Sequence, residues 1–264
     1  MRLFVCAFLV GLISFMGVAF ANDAKESVEA DASTRQVAIT SSFTGTEILV
    51  FGTVENSMQP SAGAGTYDVV IVVEGAPAPV IVRKKSRVGG LWINTSSVRF
   101  ASLPSYYAIA STRPIDELAD IAVLDAKGIG FEHVRMVPAS TGWAKSMDAD
   151  EVAGFKKALI RLKEQERLFV KSEFGVTFIG RSLFRATIAL PPNVPVGPLT
   201  ARVYLFKEGK LLGQYMSHVT LEREGVERYI HDAAQTRPRL YGLVTVFMAT
   251  AAGLAAAFAF PRPV

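Results

Sequence analysis

The densest chemistry in the chain lies at Arg83–Asn94, which reads RKKSRVGGLWIN and places four cations in five positions ahead of a Gly-Gly pair and Trp92. In an extended backbone, alternate side chains share a face. Arg83, Lys85 and Arg87 therefore converge on one side, and Val82 and Lys84 take the other. Convergent cations beside a tryptophan suit a small anion or an anionic lipid headgroup. The same residues also suit a charged edge strand that resists edge-to-edge pairing, with Gly89-Gly90 as its turn and Trp92 as a core plug.

No other cluster calls for chemistry. His133, His218 and His231 are not spaced with one another, or with a carboxylate, as metal ligands are. There is no GxSxG elbow, P-loop or dinucleotide fingerprint. Asp116, Glu117 and Asp120 read as solvated charges on a helix, and Gly128-Ile129-Gly130 lacks the context of a phosphate loop. No catalytic residue, metal or cofactor is expected, and the protein reads as non-enzymatic. Asn94-Thr95-Ser96 matches a glycosylation sequon, a weak pattern. The formal net charge of +4 is too small and too dispersed to argue for nucleic acid.

The segments that position the cationic stretch read as β. Residues 36–40 and 47–55 alternate, and 67–74 (YDVVIVVE) is apolar enough for a central strand. Residues 80–85 continue in extended form after a Pro-rich break. Near the end, 183–190 alternates, 191–198 turns, 199–207 alternates again, and Glu208-Gly209 forms a tight hairpin into 210–223. About seven strands fit an immunoglobulin-like β-sandwich. The expected fold is mainly β: a first part at 34–87, an inserted α/β segment at 88–175, and a second part at 176–225. Two small β-domains are the alternative. Within the insert, helices are expected near 114–126 and 148–170. Asp148 and Glu151 resemble a capping box, and Val152, Phe155, Leu159, Leu162 and Phe169 share an apolar face.

Both ends are apolar. Residues 1–21 combine Arg2, an apolar run and Ala19-Phe20-Ala21, as a secretory signal peptide does; an uncleaved anchor is the competing reading. Cys6, the one cysteine, lies in this segment, so a processed chain has no thiol chemistry. Residues 22–33 (NDAKESVEADAS) are acidic and small, and read as a disordered leader. Residues 226–239 read as a juxtamembrane linker. Residues 240–260 carry no charge, and about twenty residues at 1.5 Å each cover the ~30 Å hydrocarbon core, so a transmembrane helix is expected. Export places the body in the periplasm of a bacterial inner membrane, as a single-pass protein with residues 261–264 cytoplasmic. Arg237 and Arg239 before the span, against Arg262 after it, run counter to the positive-inside rule; a large exported domain crosses regardless of flanking charge. Within the span, Ala249, Gly253 and Ala257 form a small-xxx-small stripe suited to helix–helix contact, unless it merely reflects an Ala-rich composition.

Several motifs together resemble a family of alphaproteobacterial transmembrane proteins of unknown function. They include Phe43-x-Gly45, Val50-Phe51-Gly52, Lys85-x-Arg87-Val88-x-Gly90-x-Trp92-x-Asn94 and Pro104-Ser105-x-Tyr107-Ala108-x-Ala110-Ser111. Leu183-Phe184-Arg185-Ala186, Pro191 to Gly197 and Leu240-Tyr241-Gly242 continue the match. The resemblance implies a signal peptide, a periplasmic β-rich body and a C-terminal anchor. Members of that family are linked with sulfite-exporter-type permeases. This implies an accessory role beside a permease for sulfite or related anions, with the permease, membrane lipid or a second copy of the chain as partner. An envelope-binding module for glycan or anionic lipid is the alternative.

Overall fold

The computed structural model describes residues 25–139 and 148–259. The expected signal peptide, the first three residues of the leader and the cytoplasmic tail lie outside the described residues.

The body is mainly β. One sheet has the order β1 (Ser27–Ala32), β3 (Thr46–Glu55), β10 (Leu183–Leu190), β9 (Val176–Phe178). The second runs β2 (Gln36–Ile39), β12 (Lys210–Arg223), β11 (Gly197–Lys207), β4 (Asp68–Gly75), β7 (Tyr107–Ser111), β8 (Phe169–Ser172). Period-2 patterning explains the first sheet: β10 buries Phe184, Ala186, Ile188 and Leu190 and exposes the residues between them. β4 is buried on both faces, as its unbroken Val/Ile run requires. Strands from the two halves of the chain share both sheets. β3 pairs antiparallel with β10 from Thr46↔Leu190 to Thr53↔Leu183. β4 pairs antiparallel with β11 from Gly75↔Leu199 to Asp68↔Phe206.

The expected disordered leader is corrected: Ser27–Ala32 is β1, paired antiparallel along β3. Val28, Ala30 and Ala32 face the core. Their small side chains are what the site admits, because β1 crosses Gly52 closely. A Cβ on Gly52 would lie 2.4 Å from the Glu29 carbonyl oxygen and 2.5 Å from the Phe184 ring. After Ala32 the chain crosses to the other sheet, where β2 runs parallel to β12.

The expected boundary at 87/88 is also corrected. It falls within a long hairpin of β5 (Pro77–Val88) and β6 (Leu91–Pro104), a separate two-stranded sheet. β7, which follows, belongs to the main sheet rather than to an insert. The expected 114–126 helix resolves into a 3₁₀ turn at Ile115–Glu117 and a short helix α1 (Ile121–Lys127). The expected 148–170 helix ends earlier: α2 spans Ala149–Gln165, and Asp148 caps it by accepting from the Ala149 N–H at 2.8 Å. Arg167 then takes a left-handed φ of 58°, and Phe169–Ser172 becomes β8, parallel to β7. Phe169 and Val170 favour a strand, and the open edge of β7 offers them one. α2 buries Phe155, Leu159 and Ile160, while Leu162 stays exposed.

One hydrophobic core runs through both sheets, and tyrosine hydroxyls tie its layers together. Tyr106, fully buried, donates to the Ala189 carbonyl at 2.7 Å, linking β10 to the β7 end of the other sheet. The buried Tyr107 hydroxyl donates to the Gly128 carbonyl at 2.8 Å and accepts from the Gly130 N–H at 3.0 Å. Its ring packs against Phe131 and Phe169. Gly128-Ile129-Gly130 is thus a clamped turn, with Gly128 ending α1 at a left-handed φ of 67°.

Beyond β12, the expected linker is corrected to a helix, α3 (Val226–Thr236). One non-helical residue, Arg237, separates it from α4 (Pro238–Ala259), with Pro at the first helical position. Pro238–Ala257 is long and apolar enough to cross a membrane, and none of it is buried against the body.

Candidate functional site

The cationic stretch occupies the distal half of the β5–β6 hairpin. Ladder pairs run Arg83↔Ser97, Lys85↔Asn94 and Arg87↔Trp92. A bulge after Lys84 takes up Thr95 on β6 without altering the alternation of β5. Arg83, Lys85 and Arg87 therefore share one face, as expected, and all three are exposed. Trp92 lies directly opposite Arg87 on that face. Arg99, opposite Ile81, extends it toward the base. The other face begins buried at Val82, Val98 and Phe100. Val137–Ala139 adds a third, short strand segment at the base, through Ala101 N–H to the Val137 carbonyl and Ala139 N–H to the Arg99 carbonyl. The base is thus held by the core, and the tip projects from it. From Val82 to Gly89, seven residues at about 3.3 Å each give a reach of about 20 Å.

Gly89 and Gly90 form the turn, with φ of 59° and 88° that a side chain would resist. The core-plug role considered for Trp92 is corrected: the residue is 69% exposed. Leu91 is 71% exposed, and Val88 and Ile93 about half so. Pro77–Pro104 holds five cations and no carboxylate. Arg83, Lys84, Lys85, Arg87 and Arg99 make no ion pair with any described residue. The arrangement is an apolar tip on a cationic shaft.

Charges at the opposite end of β4 behave differently. Asp68, buried, binds Arg113 bidentately at 2.8 and 2.6 Å and accepts from the Thr112 hydroxyl at 3.1 Å. This pairing holds the Arg113 guanidinium above its ordinary pKa. Glu26 accepts from the Tyr67 hydroxyl at 2.5 Å and from Lys207 at 2.9 Å. Those two bonds, Tyr67 first, hold its carboxyl below the usual range. Burial and then the Glu26 carboxylate push the Tyr67 phenol up. Tyr67 also accepts from the Met58 N–H at 2.8 Å, and Lys207 sits 5.6 Å from its ring centroid. Tyr67, Asp68, Thr112 and Arg113 border a cleft of about 780 Å³ that also touches Thr66, Phe178 and Glu208. Sequence reasoning missed the whole cluster. The Tyr67–Glu26, Arg113–Asp68 and Lys207–Glu26 partnerships span 41, 45 and 181 residues of chain, and no local pattern announces them.

Asp116, Glu117 and Asp120 are exposed around the 3₁₀ turn. His133 pairs with Asp125 at 2.5 Å, and His218 and His231 are exposed. Among the described residues, no three His, Cys, Asp or Glu side chains gather as metal ligands would. In α4, Ala249, Gly253 and Ala257 lie on one exposed face, and a Cβ on Gly253 would meet open space.

The family model described as "Putative transmembrane protein (Alph_Pro_TM)" matches residues 27–262. The chain belongs to this family. The match to this transmembrane family starts at the first residue of β1 and runs through the candidate membrane helix α4, so body and helix are parts of one family architecture. No curated protein matches the chain.

Proposed function

We propose that the protein is a membrane-anchored, non-enzymatic accessory protein whose β body acts in the periplasm while α4 holds it in the inner membrane. The single observation that carries this reading is the pairing of one long, largely apolar helix with a body that presents an exposed hairpin holding five cations and no carboxylate. Export by a cleaved signal peptide and a cytoplasmic C-terminus belong to this proposal. The body is read as an immunoglobulin-like sandwich, with β1 and β2 as one strand shared between the two sheets.

The proposed partner is an inner-membrane permease for sulfite or related anions. Its identity rests on the family resemblance; a cationic hairpin suits a site where oxyanions pass. Ala249, Gly253 and Ala257 are the proposed contact with a partner helix or a second copy. Extraction in mild detergent should co-purify a permease, and Gly253→Leu should abolish that association or the crosslinking of two copies. A permease-free eluate and unchanged crosslinking would refute the partner and the stripe respectively. The exposed hairpin tip favours a second reading, an envelope-binding module for glycan or anionic lipid. Binding of the full chain to purified envelope polymers, without a permease, would support it.

A further inference from the structure

We infer that the β5–β6 hairpin is a second membrane contact: its tip enters the interface of an anionic bilayer, and its shaft cations bind headgroup phosphates. The inference deepens the second reading above and does not depend on a permease.

Three observations select lipid as the occupant. Val88, Leu91, Trp92 and Ile93 surround a two-glycine turn and are all exposed, and a tip that stayed in water would have no use for four large apolar side chains. Trp has an apolar ring and a donor N–H, and it concentrates at the headgroup level. Immediately behind the tip come Arg87, Lys85, Lys84 and Arg83, with no acid between Pro77 and Pro104 to offset them. Cations placed next to an apolar wedge match an anionic headgroup layer over acyl chains. A glycan, which stacks on aromatics but carries no general negative charge, leaves this cation excess unexplained. The lengths also agree. β4 and β12 end at the same edge of their sheet, where Leu199 pairs with both Gly75 and Val219. The hairpin, with a reach of about 20 Å, and α3, about 16 Å long, therefore leave the body from one end, and α4 and the tip can meet one bilayer.

The test uses the full chain with Trp143→Phe, which leaves Trp92 as the one tryptophan of the two present. The protein is placed in nanodiscs of phosphatidylcholine alone or with phosphatidylglycerol, with brominated acyl chains as quencher. Trp92 emission should shift to the blue and be quenched in the anionic discs and much less in the zwitterionic ones. Arg83→Ser, Lys85→Ser and Arg87→Ser together should weaken docking about fivefold per cation, on the order of a hundredfold in all. Water-like Trp92 emission in anionic discs overturns the inference, and so does equal quenching in both lipids. In a separate arm, sulfite or inorganic phosphate is titrated onto protein in zwitterionic discs. A saturable Trp92 response there, with none to phosphatidylglycerol, assigns the cations to a free anion and overturns the lipid contact. Permease co-purification by the triple variant is scored independently, so failure of the hairpin inference leaves the accessory reading standing.

Discussion

β4 joins two regions that treat charge in opposite ways. At its first residues, Asp68 is buried against Arg113, and the neighbouring Tyr67 hydroxyl and Lys207 converge on Glu26. Beyond its last residue the hairpin departs, and its five cations have no partner among the described residues. A buried charge left unpaired costs several kcal/mol, so the first cluster is a condition of folding. An exposed cation costs little, and removing it changes stability by less than about 0.5 kcal/mol. Charge at the first end is therefore committed to the fold, and charge at the hairpin is free to meet a ligand.

The contrast can be broken by substitution, and the largest effect is expected at Asp68. Asp68→Ala strands Arg113 and the Thr112 hydroxyl and should cost about 3 kcal/mol in urea unfolding of the body; the partial exposure of Arg113 keeps the loss below the upper end for buried pairs. A loss under about 1 kcal/mol would show that this pair is dispensable. Tyr67→Phe should cost about 1–2 kcal/mol, because the Met58 N–H and Glu26 each lose a partner.

Acid sharpens the same point. The Glu26 carboxyl is held below its ordinary value of about 4.3. Its contribution is therefore complete above that value and is lost as pH falls through the lowered one. Lys207 is held above its ordinary value, chiefly by its bond to Glu26. Its contribution is complete below about pH 10.4 and disappears as pH rises through the raised value. Thermal melts across pH should show both limbs, and Glu26→Gln should flatten the acid one. An unchanged acid limb would remove Glu26 from the account.

The smallest change in stability is expected from Arg83→Ser, Lys85→Ser and Arg87→Ser combined. The melting midpoint should stay within about 2 °C of the parent while lipid docking is lost. A large drop in midpoint would make the hairpin a structural element and erase the distinction between the two regions.

Much of the strand content was legible. β3, β4, β10, β11 and β12 announce themselves by alternation or by unbroken Val/Ile runs, and Glu208-Gly209 marks its own turn, with φ of 50° and 77°. β1 was illegible because its inward residues, Val28, Ala30 and Ala32, are mostly small and sit among acids, so composition resembled disorder. β6 was illegible because Asn94–Ser97 is polar on both faces of the strand, as a segment projecting from the core can be. α2 was read five residues too long at its end, since nothing local shows that Phe169 finds a sheet edge at Tyr107. In the candidate site, the shared face of Arg83, Lys85 and Arg87 was legible from period 2 alone. The exposure of Trp92 was not, because an aromatic after a Gly-Gly turn fits a core as well as a tip.

What the chain states locally is therefore its pattern: where strands alternate, where residues 240–260 run without a charge, and which residues of one strand share a face. Those properties arise from backbone geometry acting on neighbours, and no fold is needed to read them. Which charges are neutralised and which remain free was decided by tertiary structure. Asp68 meets Arg113 across 45 residues and Glu26 meets Lys207 across 181. Such encounters depend on the register and crossing of both sheets, and so does the projection of Arg83, Lys85 and Arg87 away from every described carboxylate.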